Sequence, residues 1–282
     1  MIKIENVSTV GWEAAIRGAR NPMNSWEKSD SLFYNFESEF IQNLVGDRLF
    51  VDPGDCQPWT YSGPAEKRGL YSWAIDDSDD MDELSEEVDS NLFNRTGIPA
   101  IGPNDLKLLS GLAKAGSDEA KFRRMIVVYL DVTAPMYWWK EADTYKVGTV
   151  RNSCSTMHKI HAKEFTLEDF STEHLTDSAK DEMQNIIDML NESREWYLKY
   201  DFMRDTDKKL FDSAIKSKKD LWWQMIQLLP SSYNQRATLM LNYEVLANMY
   251  HARKNHKLDC WREFCGWIET LPYAKELIIG DN

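Results

Sequence analysis

Between residues 176 and 200, Met183, Ile186, Ile187, Leu190 and Tyr197 recur at helical steps, with acids and lysines between them. At about 100° per residue they fall on one face of a long helix, and such a face must be covered by other apolar surface. The rest of the chain supplies candidates for that cover. Residues 1–10 alternate like a half-buried strand (Ile2, Ile4, Val7), and GWEAAIRGAR at 11–20 reads as a helix stopped by Asn21-Pro22. Residues 104–115 read as an Asn-capped helix ending at Gly116, and 118–125 as another, with Asp118 and Glu119 at its positive end. IVVYLDV at 126–132 reads as a strand or buried segment, and Pro135 opens the helical PMYWWKEAD. Helical text runs through 205–229 to Pro230; 232–241 suits a strand, and 242–270 is helical to Pro272. Residues 21–102, with Pro53, Pro58, Pro64 and Pro99, read as loops with short elements. The expectation is an α+β, helix-rich protein with a small antiparallel sheet, forming one domain over residues 1–282.

Charge narrows the function. The chain has 282 residues and a net charge of −13, which disfavours a nucleic-acid coating role, since phosphate neutralisation needs clustered Lys and Arg. Nine of the acids lie in DDSDDMDELSEEVD at 76–89, read as an acidic loop insertion; without them the rest carries −4. That acidity is local and leaves room for a pocket holding one phosphate. MIKIENVSTV lacks a basic leader with an apolar stretch, and MIVVYL at 125–130 is too short to span a bilayer. Four cysteines do not make a disulfide framework, so the expected location is the cytoplasm, with no membrane partner.

Several residues invite specific chemistry, each beside a plainer reading. His251, His256, Cys260 and Cys265 suggest zinc, but five helical residues turn Cys260 and Cys265 roughly 140° apart, so packing is the reading preferred and no metal is expected. Cys154 and His158 are spaced i, i+4 and would make a thiolate pair on a helix; the plainer reading is a buried thiol beside a hydrogen-bonded His. Trp138-Trp139 and Trp222-Trp223 read as core. The segment 133–159 collects Lys140, Lys146, Arg151, Lys159, Asn152, several hydroxyls and Gly148, which suits a phosphorylated ligand, with a solvated polar loop as the alternative.

That segment, together with LLPSSYNQRATLMLNYEVLANMYHARKNHKLDCWREF at 228–264, resembles the flavin-dependent thymidylate synthases, the ThyX family, over roughly residues 105–272. Leu229-Pro230 stands where the family has Leu-Pro. Asn242, Asn248 and Arg253 repeat its six- and five-residue steps between two flavin-contacting asparagines and a nucleotide-contacting arginine. In one continuous helix Asn242 and Arg253 would share a face. Elsewhere the chain departs: Thr144, Tyr145 and Lys146 replace the Arg-His-Arg signature, and Thr149 replaces the serine beside the pyrimidine. The Ser-x-Arg region reads NSCSTMHK, and Met225, Ile226 and Gln227 stand where another substrate-binding arginine is expected. The resemblance is weaker over residues 1–100, where it would put Arg17, Arg20 and Asn21 in the family's early nucleotide-contacting region.

The resemblance implies a ThyX-like fold and a homotetramer binding FAD between subunits. It implies transfer of a one-carbon unit from methylenetetrahydrofolate to dUMP to give dTMP, with NADPH as reductant. Tyr145, Lys146, Asn242 and Asn248 become the expected cofactor-binding residues, and Thr149, Asn152, Ser155 and Arg253 the substrate-binding ones. No protein nucleophile is implied. The lost arginines raise two alternatives: a catalytically inactive or repurposed protein that binds a nucleotide or a protein partner, and a flavoenzyme with another pyrimidine substrate.

Overall fold

The computed structural model describes residues 2–31, 101–208 and 215–280; the acidic window 76–89, Cys56 and most of the loop-rich stretch lie outside them. In chain order the principal elements are β1 (Lys3–Val10), α1 (Trp12–Arg20), α2 (Pro103–Ala115), β2 (Val127–Pro135), α3 (Met136–Ala142), β3 (Val150–Ser153), α4 (Asp177–Lys199), α5 (Lys218–Leu228), β4 (Asn234–Asn242), α6 (Tyr243–Arg253) and α7 (Asp259–Ile268). The strands form a four-stranded antiparallel sheet in the order β1-β2-β4-β3. The α+β, helix-rich expectation with a small antiparallel sheet is met. Among the described residues no helix is long and apolar enough to cross a membrane.

The described residues divide into two compact units. The first takes the described residues up to Lys3, 132–144 and those of 152–238, and its core is the long helix foreseen from its periodicity. Thr176 caps α4 by accepting from the Ala179 N–H. Ile187 and Leu190 are buried with Ile160, Phe165, Phe170 and Met225, while Met183, Ile186 and Tyr197 pack against that cluster. The covering surface is α5, which buries Leu221 and Met225 one turn apart. Gln224 on α5 donates to the Ser193 hydroxyl on α4 at 2.9 Å, a polar contact that fixes the register of the pair. Trp138 and Trp139 are core, and Trp139 Nε1 donates to the Gln235 carbonyl at 2.9 Å. The second tryptophan pair splits: Trp222 packs on the cluster and Trp223 faces solvent, because adjacent helical residues point about 100° apart.

The second unit takes 145–151, the described residues from 4 to 131, and those from Leu239 onward. Trp12 on α1 is buried edge-on against Tyr243 and Tyr273, at ring distances of 5.3 and 5.7 Å. β1 does not keep the expected alternation. Asn6 sits at φ +52°, a left-handed conformation that Asn tolerates better than most residues, and past it Val7 is exposed while Thr9 is buried. Gly102, not Asn104, is the N-cap position of α2, with Pro103 in its first turn. The helix-end amides of Asn104 and Asp105 instead donate to Asp30, 75 residues upstream in the latter case. The expected helix at 118–125 is a short 3-10 segment, Ala120–Arg124, too brief to sustain α-helical cooperativity. The single helix expected over 242–270 is two, α6 and α7, broken at 254–258.

Candidate functional site

Two junctions in the second unit bring the sequence-derived residues together. At the first, β4 passes directly into α6. Asn242 is the last strand residue and the helix N-cap, with extended backbone (φ −121°, ψ 166°), and its Oδ1 accepts from the Val245 N–H at 2.9 Å. This corrects the expectation that Asn242 and Arg253 lie on one continuous helix: Asn242 stands outside the helical geometry, so the eleven-residue phase does not apply to it. Tyr243 is wholly buried and anchors the first turn through its N–H to the Ile126 carbonyl and its hydroxyl to the Pro272 carbonyl. Glu244 lies 3.7 Å from Arg123 in a mostly buried ion pair; burial pulls the Arg123 guanidinium below its ordinary value, against the attraction of Glu244.

α6 buries Tyr243, Val245, Leu246, Ala247, Met249 and Tyr250, leaving Asn248, His251 and Ala252 exposed. Tyr250 donates to Glu269 at 2.8 Å, and burial together with that bond pushes its phenol up to about 12. Asn248 makes no side-chain hydrogen bond with any described residue. A helix otherwise packed around its circumference thus offers one outward stripe that includes an amide with both donor and acceptor atoms.

The second junction is the loop before β3. Tyr145 accepts a hydrogen bond on its hydroxyl from Arg253 Nε at 3.0 Å. The Arg253 guanidinium lies 4.8 Å from the Trp261 ring centre and 5.7 Å from that of Tyr145, and the two rings meet edge-on at 6.0 Å. Three residues on, Gly148 has φ +77° and lies so close to Asn242 that a Cβ there would stand 2.5 Å from its Nδ2 and 3.2 Å from Val245 Cγ2. The loop is therefore pinned to both ends of α6, to Arg253 at its C-terminal end and to Asn242 at its N-terminal end. Between the pins Lys146 and Val147 are exposed, Val147 by 90%. Beyond Gly148 the Thr149 hydroxyl is buried with no hydrogen-bond partner among the described residues.

Asn152 and Ser155 belong to the first unit. Asn152 is exposed on β3, and Ser155 caps the single turn Thr156–Lys159, accepting from the His158 N–H at 3.0 Å. Cys154 precedes that turn rather than sharing a helix with His158, and it is exposed, which removes both the helical thiolate geometry and the buried-thiol reading. Its backbone is tied to β4, with its N–H donating to Arg236 and its carbonyl accepting from Gln235. Met225 is fully buried and Ile226 packs on the same cluster, so of the three residues at the missing arginine only Gln227 is exposed. Arg20 is buried against Asp105, Arg17 pairs with Glu13 on the surface, and Asn21 accepts from Trp26. Cys260 and Cys265 are buried on α7, where burial and Glu269 push the Cys265 thiol up to about 11. His251 contacts the Ile278 carbonyl, and His256 accepts from the Leu258 N–H. Trp261 is the site residue that sequence reasoning passed over: it lies across the 254–258 break from Arg253, where helical spacing carries no signal.

No protein-family model and no curated protein matches this chain. Among solved structures, a crystal structure of the flavin-dependent thymidylate synthase ThyX from Helicobacter pylori, complexed with FAD and dUMP, is similar with a TM-score of 0.51. It is 10% identical, and the match covers 99% of this chain and 97% of that one. A second structure of Helicobacter pylori ThyX with FAD and dUMP gives a TM-score of 0.50 at 10% identity, covering 99% and 96%. The chain has a fold like that of these ThyX structures.

Proposed function

We propose that this protein is a ThyX-like flavoprotein that transfers a one-carbon unit to a uracil nucleotide, converting dUMP to dTMP. The observation that carries the proposal is the doubly pinned loop: it gathers Tyr145, Lys146, Gly148 and Thr149 onto α6, which bears Asn248 and Arg253 and is capped by Asn242. The two ThyX structures described above hold FAD and dUMP, which supports the choice of ligands.

The residues fit such ligands in kind. Among the described residues, Thr149 has a buried hydroxyl with no hydrogen-bond partner and Asn248 an exposed amide with none; both suit the heteroatoms of a flavin or pyrimidine ring. Lys146 supplies an exposed cation and Arg253 a fixed, permanently charged one for phosphate. Asn242 holds the loop in place through its cap and its contact with Gly148. FAD, when bound, supplies the hydride for reductive methylation, with NADPH and methylenetetrahydrofolate as co-substrates. The protein's part is to orient the rings and offset phosphate charge, which needs no side-chain nucleophile. The same proposal takes residues 1–282 as one ThyX-like domain, a homotetramer as the assembly and the cytoplasm as its location.

Expression in a thymidine-requiring host tests the activity: growth without thymidine is the expected result. A chain that binds FAD and dUMP yet never supports growth would overturn the synthase assignment in favour of a repurposed binding protein.

A further inference from the structure

Towards its C-terminal end the buried face of α4 turns cationic. Arg194 follows Leu190 by four residues and Tyr197 follows Arg194 by three, so both continue the core stripe. Arg194 Nε donates to the His161 carbonyl at 3.0 Å, while its terminal nitrogens, which are not buried, bond no described residue. The His161 ring lies 4.6 Å from that of Tyr197, and Lys218 Nζ, at the start of α5, lies 4.8 Å from the same Tyr197 ring. Lys159 is exposed two residues before His161. Of these three cations only Lys218 has a carboxylate partner among the described residues, the exposed Asp201. His161 Nδ1 is buried with no hydrogen-bond partner among them. Burial, then the charges of Lys159, Lys218 and Arg194, hold its imidazole below the ordinary value. A chain of net charge −13 thus keeps three cations around one pair of rings with one carboxylate to offset them.

We infer that Lys159, His161, Arg194 and Lys218 form a separate anion site on this protein, which takes the phosphate group of a small molecule. It uses no residue of the loop along α6 and does not depend on the flavin reading. Arg194 is fixed at Nε by a backbone carbonyl, so its two terminal amino groups stand as a preset fork for two phosphate oxygens. Lys159 and Lys218 add point charges on flexible stems. Asp201 offsets one of the three charges, and the remaining excess suits a phosphate dianion better than a single carboxylate. A dianion among these groups replaces their mutual repulsion with attraction. It also lowers the cost of protonating His161, because a neighbouring anion favours the imidazolium, which then donates as well. Binding is thereby coupled to proton uptake at His161.

The test follows the His161 ring by NMR in the full-length protein, its resonance identified by its loss in His161→Gln. Inorganic phosphate is titrated against sodium chloride of equal ionic strength. Phosphate is expected to raise the His161 pKa saturably above its value in chloride. Arg194→Gln is expected to weaken phosphate about tenfold, and Lys159→Gln, which alters an exposed side chain and spares the fold, about threefold. Lys180→Gln, a cation near the other end of α4, is expected to change it less than about twofold. A parallel titration with dUMP separates the sources of the phosphate. Half-saturation below that of inorganic phosphate assigns the site to a nucleotide, and half-saturation at or above it assigns the site to phosphate itself; either supports the inference. No difference between phosphate and chloride, or undiminished phosphate binding in both Arg194→Gln and Lys159→Gln, overturns it. Failure to bind flavin leaves each of these outcomes unchanged, so the two readings fail separately.

Discussion

Gly148→Ala probes the geometry on which the site depends. The residue sits at φ +77°, where an L side chain costs roughly 1–2 kcal/mol. Its new methyl carbon would stand 2.5 Å from Asn242 Nδ2, closer than carbon and nitrogen approach without bonding, and 3.2 Å from Val245 Cγ2. The Asn242 side chain is not at liberty to swing away, since its Oδ1 accepts from the Val245 N–H at 2.9 Å; moving it sacrifices a helix cap worth about 1 kcal/mol. The two costs together predict a loss of about 2–3 kcal/mol on urea denaturation, with an unchanged denaturant slope. The cycle with Asn242→Ala isolates the steric share. That change removes the obstructing amide, so the double variant should be more stable than additivity allows by about 1 kcal/mol. If Gly148→Ala costs less than about 0.5 kcal/mol, or if the two changes simply add, the close approach of loop and helix is wrong and the pinned-loop account fails with it.

Two further outcomes follow from burial and charge. Asp105 is fully buried; burial alone would raise its pKa, but hydrogen bonds from Ser31, Ser29 and Arg20, with the Arg20 charge, hold it below the ordinary carboxylate value. Its contribution is therefore complete above the unfolded carboxylate pKa of about 4 and is lost as acid takes the pH down through the lowered folded value. Asp105→Asn should cost about 3 kcal/mol near neutral pH by leaving Arg20 buried without its counter-charge, and should flatten that acid limb; a loss under about 1 kcal/mol refutes it. Thiol alkylation at pH 8 with peptide mapping should label exposed Cys154 in the native protein, and Cys260 and Cys265 only after unfolding, since the Cys265 thiol is pushed up to about 11. Native labelling of Cys265 as fast as Cys154 contradicts the packing of α7.

What the sequence disclosed was whatever depends on local spacing. α4 announced its buried face because Met183 through Tyr197 repeat with the helix period, and the structure packs those residues as one cluster. The junction at Asn242 was legible as a pattern of asparagine spacing, though its detail was not: a cap residue is extended, so helical phase cannot be carried through it. Other features rest on contacts between distant segments, which periodicity does not encode. Asn6 turns β1 over by one left-handed residue, Asp30 caps a helix from 75 residues away, and Trp261 meets Arg253 only because the chain folds back at 254–258. Met225 occupies a position where an arginine was sought, and its burial shows that the position serves the core of α4 and α5. The departures from the Arg-His-Arg signature were visible as letters; that Tyr145 bonds Arg253 was visible only in three dimensions.

On the proposed function, this chain holds a flavin at the loop pinned along α6. The most direct measurement is the visible absorption spectrum of the freshly purified protein, repeated after incubation with FAD and removal of the excess. Retained flavin bands, lost in an Asn248→Ala, Thr149→Val double variant that still folds, are the expected result. A colourless protein that gains no flavin on incubation contradicts the account.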